Sequence, residues 1–251
     1  MRHWIVDHNR REFLRLAASG VAALALAASP LGAFAQTASG APLKIGTIGG
    51  GKIAGAIGAL WVKAGHPVMF SSRHPEELKG LVDGLGPLAR AGTPAEAVAF
   101  GDIVLLAVPY GAMKQVGQDN GPALATKALV LDASNPIVPR DGELGAWARE
   151  KGAGLATAEL LPGAHIVRGF NAINYLKLPA DAHPSGGERV GMPIAGDDPK
   201  AIALASTLIR EIGLEPVVIG GLAMGKYLIP GTPLGGEHTP EQIRQIVASL
   251  K

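Results

Sequence analysis

One short stretch narrows the fold more than any other. Residues 44–54 read Lys44-Ile45-Gly46-Thr47-Ile48-Gly49-Gly50-Gly51-Lys52-Ile53-Ala54. An apolar run suited to a strand breaks at glycines, and apolar residues then recur at helical spacing over 52–64. The break has the form Gly49-x-Gly51-x-x-Ala54, the dinucleotide fingerprint in its required strand–turn–helix context, with alanine in the permitted third place. Gly49 lets the chain turn sharply, and Gly51, lacking a Cβ, lets a pyrophosphate approach the backbone. Ala54 keeps helix and strand close. The helix N-terminus around Gly50, Lys52 and Ile53 then offers free N–H groups and a positive dipole end to the phosphates.

The choice between the two common dinucleotides falls at the tip of the second strand, about 20 residues on. Enzymes that use NAD carry a carboxylate there for the ribose hydroxyls. This chain reads Phe70-Ser71-Ser72-Arg73-His74, with no acid before Glu76. Ser72 can hydrogen-bond a 2′-phosphate, Arg73 can pair with it and stack on adenine, and His74 adds a second donor. The expected cofactor is therefore NADP.

Beyond the fingerprint, short β-type runs alternate with helical stretches, the signature of a parallel sheet wrapped by helices. Strands are predicted over 44–48, 67–70, 103–108, 128–132, 166–170, 189–195 and 215–219, with a weaker one at 88–91. The run Ile103-Val104-Leu105-Leu106-Ala107-Val108 is apolar on both faces, as a central strand should be. Helices are predicted over 52–64, 75–81, 94–100, 145–150, 199–212 and 240–250. Pro94, Pro199 and Pro240 suit a first helical turn, behind Thr93, Asp198 and Thr239 as caps. The expected fold is α/β: a Rossmann-type, doubly wound, mostly parallel sheet flanked by helices, in one compact domain with extra strands and helices at its C-terminal end. The predicted boundaries are a leader over 1–35, a flexible lead-in over 36–42 and the NADP-binding domain over 43–251.

The leader has the three-part layout of an export signal. Its basic part holds Asn9-Arg10-Arg11-Glu12-Phe13-Leu14, which resembles the twin-arginine motif, and residues 16–43 contain no charge. Ala33-Phe34-Ala35 supplies a small-x-small cleavage pattern, predicting Gln36 as the mature N-terminus and a periplasmic or otherwise exported product. The twin-arginine translocon, which carries folded cargo, is then a partner during export. An alanine-rich stretch followed directly by a cleavage pattern argues against a stable membrane anchor.

Composition removes several classes of chemistry. The absence of cysteine excludes disulfides, thiolate catalysis and cysteine-based metal sites. The histidines, at 3, 8, 66, 74, 165, 183 and 238, show no helical ligand spacing, so no metal is expected. The net charge of +2 resides wholly in residues 1–35, where four arginines stand against Asp7 and Glu12. The remaining chain is near neutral and gives no argument for nucleic acid. A homodimer is compatible with the sequence.

Further motifs follow in order: Ile48–Ala56, Ser71-Ser72-Arg73-x-Pro75-Glu76, Leu106-Ala107-Val108-Pro109-Tyr110, Leu131-Asp132-Ala133-Ser134-Asn135-Pro136, Gly169-Phe170-Asn171, Ala195-Gly196-Asp197-Asp198, and Gly221-Leu222 through Pro230-Gly231-Thr232-Pro233-Leu234. Together they resemble the NADPH-dependent coenzyme F420 reductase family, a small Rossmann group. The resemblance implies direct hydride transfer between nicotinamide and a flat deazaflavin or flavin, which requires two rings held in contact and no catalytic side chain. The export signal leaves the acceptor open among a flavin, a quinone, a ferric chelate and another periplasmic compound. It also leaves room for a binding or partner role without turnover. By position, Val108, Pro109 and Tyr110 should lie under the dinucleotide, and Asn135, Asn171 and Ala172 should wall the nicotinamide side. These loops follow the carboxyl ends of strands, where ligands sit in open parallel sheets. Asp197-Asp198 reads as a helix cap.

Overall fold

The computed structural model describes residues 41–182 and 189–250. The predicted leader and most of the lead-in lie outside the described residues. The core is an eight-stranded sheet in the order β3-β2-β1-β4-β5-β6-β7-β8. Its strands are β1 (Ile45–Ile48), β2 (Val68–Ser71), β3 (Ala89–Gly92), β4 (Ile103–Leu106), β5 (Val130–Asp132), β6 (Ile166–Arg168), β7 (Gly191–Gly196) and β8 (Glu215–Gly220). Neighbours from β3 through to β6 are parallel. β7 runs antiparallel to β6, and β8 is parallel to β7. The chain winds outward from β1 to β3, then returns to the middle and winds the other way from β4. The crevice between β1 and β4 is thus the topological switch point.

Each central strand serves two cores by strict alternation. In β4, Ile103 and Leu105 enter one apolar cluster, and Val104 and Leu106 the other. The first cluster includes Ala54, Ile57 and Trp61 of helix α1 (Lys52–Lys63). Helices α2 (Lys79–Leu85), α3 (Pro94–Phe100) and α4 (Met113–Leu124) follow in the first half of the chain. Met113, Val116 and Leu124 of α4 enter the second cluster. His66 pins the start of the fold: its Nδ1 accepts the Leu43 N–H at 3.0 Å, and its Nε2 meets Glu211 at 2.8 Å.

All eight predicted strands are present, and the caps read from sequence hold. Thr93 and Thr239 each form a capping box, and Asp198 accepts from the N–H groups of Lys200 and Ala201. Helix α4, by contrast, escaped prediction. It contains Gly117, Gly121 and Pro122, all poor helix residues. Gly117 is there for packing, because a Cβ on it would stand 2.3 Å from the Leu160 carbonyl. The predicted helix over 145–150 is longer, α5 (Val138–Lys151), with Gly142 at φ 57 and ψ −140 breaking its first part. Gly152, at φ 90, separates it from the unforeseen α6 (Ala153–Leu160). A short α7 (Leu178–Asp181), α8 (Pro199–Glu211) and α9 (Pro240–Ser249) complete the α-helices of the described residues.

Candidate dinucleotide site

At the switch point, the turn from β1 into α1 has the predicted shape for stated steric reasons. Gly49 lies at φ +104, and a Cβ on it would stand 2.6 Å from the Ala107 carbonyl oxygen and 3.3 Å from Val108 Cγ1. Only glycine fits that backbone so close to β4. A Cβ on Gly50 would meet Leu78 at 2.6 Å and the Ser71 carbonyl at 3.1 Å. At Gly51, by contrast, an added Cβ would meet nothing within 4 Å. Gly51 caps α1 without any side-chain bond, and the first turn, with Lys52 and Ile53, carries no acidic residue. Ala54 is fully buried against the sheet. The result is an open space at an uncapped helix N-terminus, a fit for a pyrophosphate group.

Two side chains that the fingerprint does not mention hold this turn. Thr47 and Ser71 are both fully buried. The Ser71 hydroxyl accepts the Gly49 N–H at 3.3 Å, and the Thr47 hydroxyl donates to the Gly49 carbonyl at 2.8 Å. The predicted second strand ended at residue 70, and it is the extension of β2 to Ser71 beside β1 that brings the two hydroxyls together.

The tip of β2 is open. Ser72 is half-buried, and its hydroxyl accepts the His74 N–H at 3.1 Å. Arg73 and His74 are exposed, and His74 faces Glu76 at 3.5 Å. Ser72 directly follows the Ser71 carbonyl that borders Gly50, so the basic tip adjoins the glycine turn.

After β4, the three predicted contact residues part company. Val108 is half-buried beside Gly49, and Pro109 is exposed. Tyr110 turns away into the core with no exposed surface. Its hydroxyl meets Thr157 at 3.0 Å and donates to the Ala153 carbonyl at 3.4 Å. Burial, then the charge of Asp132, push its phenol well above the usual range. Tyr110 therefore braces the loop from below and does not face the crevice.

The turns after β5 and β6 are brought together. Asn135 Nδ2 donates to the Asn171 carbonyl at 3.0 Å. Asn171 Nδ2 donates to the carbonyls of Asp132 at 3.1 Å and Ser134 at 2.9 Å. The neighbouring Ala172 is half-buried, and its carbonyl accepts from Gly236 at 2.9 Å. Between β6 and Asn171 stands Phe170, the one non-glycine residue at positive φ (65°) among those described. Such backbone costs a bulky residue about 1–3 kcal/mol. Its ring is anchored edge-on to Trp61 of α1, 6.1 Å between centroids. That packing helps to hold the turn, and it ends β6 at Arg168, two residues sooner than predicted.

Beneath these turns lies a buried ion pair that sequence reading missed. Arg168 and Asp132 meet at 2.5 Å with no exposed side-chain surface. Asp132 also accepts from Thr157 and Ser134, and Arg168 donates to the Ser134 and Leu228 carbonyls at 3.1 Å each. Asp141 makes a second brace. Its carboxylate accepts the Gly111 N–H at 3.1 Å and the Ile137 N–H at 2.8 Å, and pairs with Arg140. Burial raises this carboxyl, but the Arg140 hydrogen bond and the two backbone N–H groups outweigh it, leaving the group below its ordinary range. No cluster of three or more metal-ligating side chains occurs among the described residues.

The chain is similar to known proteins in sequence and fold. Residues 44–136, from β1 to the Asn135-Pro136 turn, match the profile of the family described as NADP oxidoreductase coenzyme F420-dependent. A hypothetical protein from Sinorhizobium meliloti is 29% identical, with a TM-score of 0.67 over 79% of this chain and 95% of that one. A protein from Arthrobacter sp. FB24 provisionally called an F420-dependent NADP reductase shares the fold at 20% identity, with a TM-score of 0.60, covering 73% of this chain and 87% of that one. An imine reductase from Pseudomonas sp. shares it at 14% identity and a TM-score of 0.53, covering 82% of this chain but 61% of its own. The fold is thus a Rossmann-type α/β sheet, and residues 44–136 are similar to the family described as NADP oxidoreductase coenzyme F420-dependent.

Proposed function

We propose that this chain is an NADP(H)-dependent oxidoreductase that passes hydride between the nicotinamide and a flat deazaflavin- or flavin-like acceptor. The observation that carries this reading is the open space at Gly51 beside a β2 tip that presents Ser72, Arg73 and His74 with no acid before Glu76. Gly49, Gly50 and Gly51, with the N–H groups of Lys52, Ile53 and Ala54, would hold the pyrophosphate. Ser72 and Arg73 would hold the 2′-phosphate, with His74 beside them. Val108 and Pro109 would lie under the dinucleotide, and the Asn135, Asn171 and Ala172 turns would wall its far end. The cofactor, when bound, would supply the hydride chemistry, and these residues would position its ring against the acceptor.

Gly51→Val tests the cradle. The new side chain enters open space, so the fold should survive while dinucleotide binding is lost. A folded variant with unchanged NADP affinity would remove the reading. Mixing NADPH anaerobically with flavin and deazaflavin acceptors, and following loss of the reduced nicotinamide, tests turnover. The twin-arginine-like leader favours a second reading, an exported protein that keeps NADP bound and does not turn over. Native mass spectrometry showing nucleotide in the purified protein, with no acceptor reduced, would select it. Export itself should stop in Arg10→Lys with Arg11→Lys, and unchanged export without the twin-arginine translocon would contradict that route.

A further inference from the structure

Helix α6 supplies none of the predicted site residues, yet one of its side chains joins two of the loops that carry them. The helix is clamped at both ends. A Cβ on Gly154 would stand 2.1 Å from the Leu222 carbonyl oxygen, and Gly117 of α4 makes the matching close approach at Leu160. Between these clamps Thr157 is fully buried. Its hydroxyl lies 2.8 Å from Asp132 Oδ2, 2.9 Å from the Ala153 carbonyl and 3.0 Å from the Tyr110 hydroxyl. Thr157 has one proton to give, and the first two neighbours only accept. The Asp132 carboxylate, paired with Arg168, is the stronger acceptor and takes it. Tyr110 then donates to Thr157 Oγ1, with the Ala153 carbonyl as a longer second acceptor at 3.4 Å. The chain from Tyr110 through Thr157 to Asp132 thus runs in one direction, and every member is buried.

We propose that Thr157 is a positioning residue of the dinucleotide site, fixing the loop after β4 against the turn after β5. This rests on the NADP reading above and adds how the two loops are held in register. One end of the chain is Tyr110, two residues beyond Val108, which borders the Gly49 turn. The other end is Asp132, whose second oxygen accepts the Ser134 N–H and hydroxyl. The Ser134 carbonyl in turn accepts from Arg168 and Asn171. Stability alone does not call for this arrangement. Replacing both partners of a buried hydrogen bond by apolar groups of the same shape is close to neutral, so phenylalanine and valine would pack here as well. What the hydroxyls add is a fixed length and direction, because a hydrogen bond weakens steeply away from its preferred geometry. Asp141 is a second tie on the β4 loop, at the Gly111 N–H, but makes no bond to β5 or β6.

The test titrates NADP and adenosine 2′,5′-bisphosphate, which lacks the nicotinamide half, against the purified protein and three variants. Thr157→Val keeps the shape and removes both bonds, Thr157→Ser keeps the hydroxyl, and Tyr110→Phe keeps the ring. The quantity read is the ratio of the two affinities, which a loss of overall stability does not move. Wild type should bind NADP more tightly than the bisphosphate. Thr157→Val should shrink that ratio about fivefold, the worth of one hydrogen bond, with the bisphosphate affinity unchanged. Tyr110→Phe should shrink it similarly, and Thr157→Ser should restore it to within about twofold of wild type, a small part of one hydrogen bond. A ratio unchanged in both Thr157→Val and Tyr110→Phe, whatever their melting temperatures, would overturn the inference. Equal losses for both ligands, or failure of Thr157→Ser to restore the ratio, would overturn it too. If Thr157→Val does not fold, Tyr110→Phe decides by the same ratio. Wild type that binds both ligands equally would overturn the inference and leave the phosphate half of the reading standing. Wild type that binds neither would sink the NADP reading and this inference with it.

Discussion

The Ser71 hydroxyl donates to the Thr47 carbonyl at 2.6 Å, while the Ser71 N–H reaches the Thr47 hydroxyl at 3.3 Å. These paired bonds join β1 to β2 just where each strand ends, and the same two hydroxyls hold Gly49. Removing one hydroxyl should therefore loosen the glycine turn without touching any glycine. Ser71→Ala should cost about 1 kcal/mol of stability and weaken NADP binding several-fold, read by thermal unfolding and by nucleotide titration. Unchanged affinity would show that the turn holds its shape without the serine.

The Asp132–Arg168 pair should behave as a buried charge pair. Removing one partner leaves an uncompensated charge in the core and should cost about 3–5 kcal/mol. Asp132→Leu and Arg168→Met, each alone, should thus destabilise far more than the two combined. Denaturant unfolding of the singles and the double decides this, and additive losses would mean that the charges do not act as a pair.

Asp141 gives a pH dependence with a defined sign. Its folded pKa lies below the ordinary value of 3.8. Its contribution is complete at pH values above the unfolded pKa and is lost as pH falls through the folded one. Stability should therefore drop on the acid side of about pH 4, and Asp141→Asn should flatten that limb. An unchanged acid limb would show that other carboxylates dominate it.

The sheet was readable because its strands are short apolar runs bounded by glycine and proline, and because β1 and β4 carry apolar residues for both faces. Gly49 was readable because its steric task beside Ala107 is one that sequence spacing encodes, whereas a Cβ on Gly51 would meet nothing within 4 Å and that glycine leaves the space open. Helix α4 was hidden by Gly117 and Pro122, which contradict helix propensity, and close packing of the helix on Leu160 requires the glycine. Tyr110 follows Pro109 on a loop in the right place, yet adjacency in sequence does not say which way a ring turns. The Arg168–Asp132 pair joins positions on different strands, and only sheet register brings them together.

The central claim is that the β2 tip reads a 2′-phosphate, and one titration tests it most directly. NADP and NAD are titrated against wild type and Arg73→Ala. A guanidinium–phosphate contact is worth roughly ten- to a hundredfold in affinity. Arg73 is exposed at the strand end and lies away from the glycine turn's own bonds, so the fold should be indifferent to its loss. The account predicts that Arg73→Ala loses NADP affinity by that factor and keeps its NAD affinity. Equal losses for both nucleotides, or no loss for either, would contradict it.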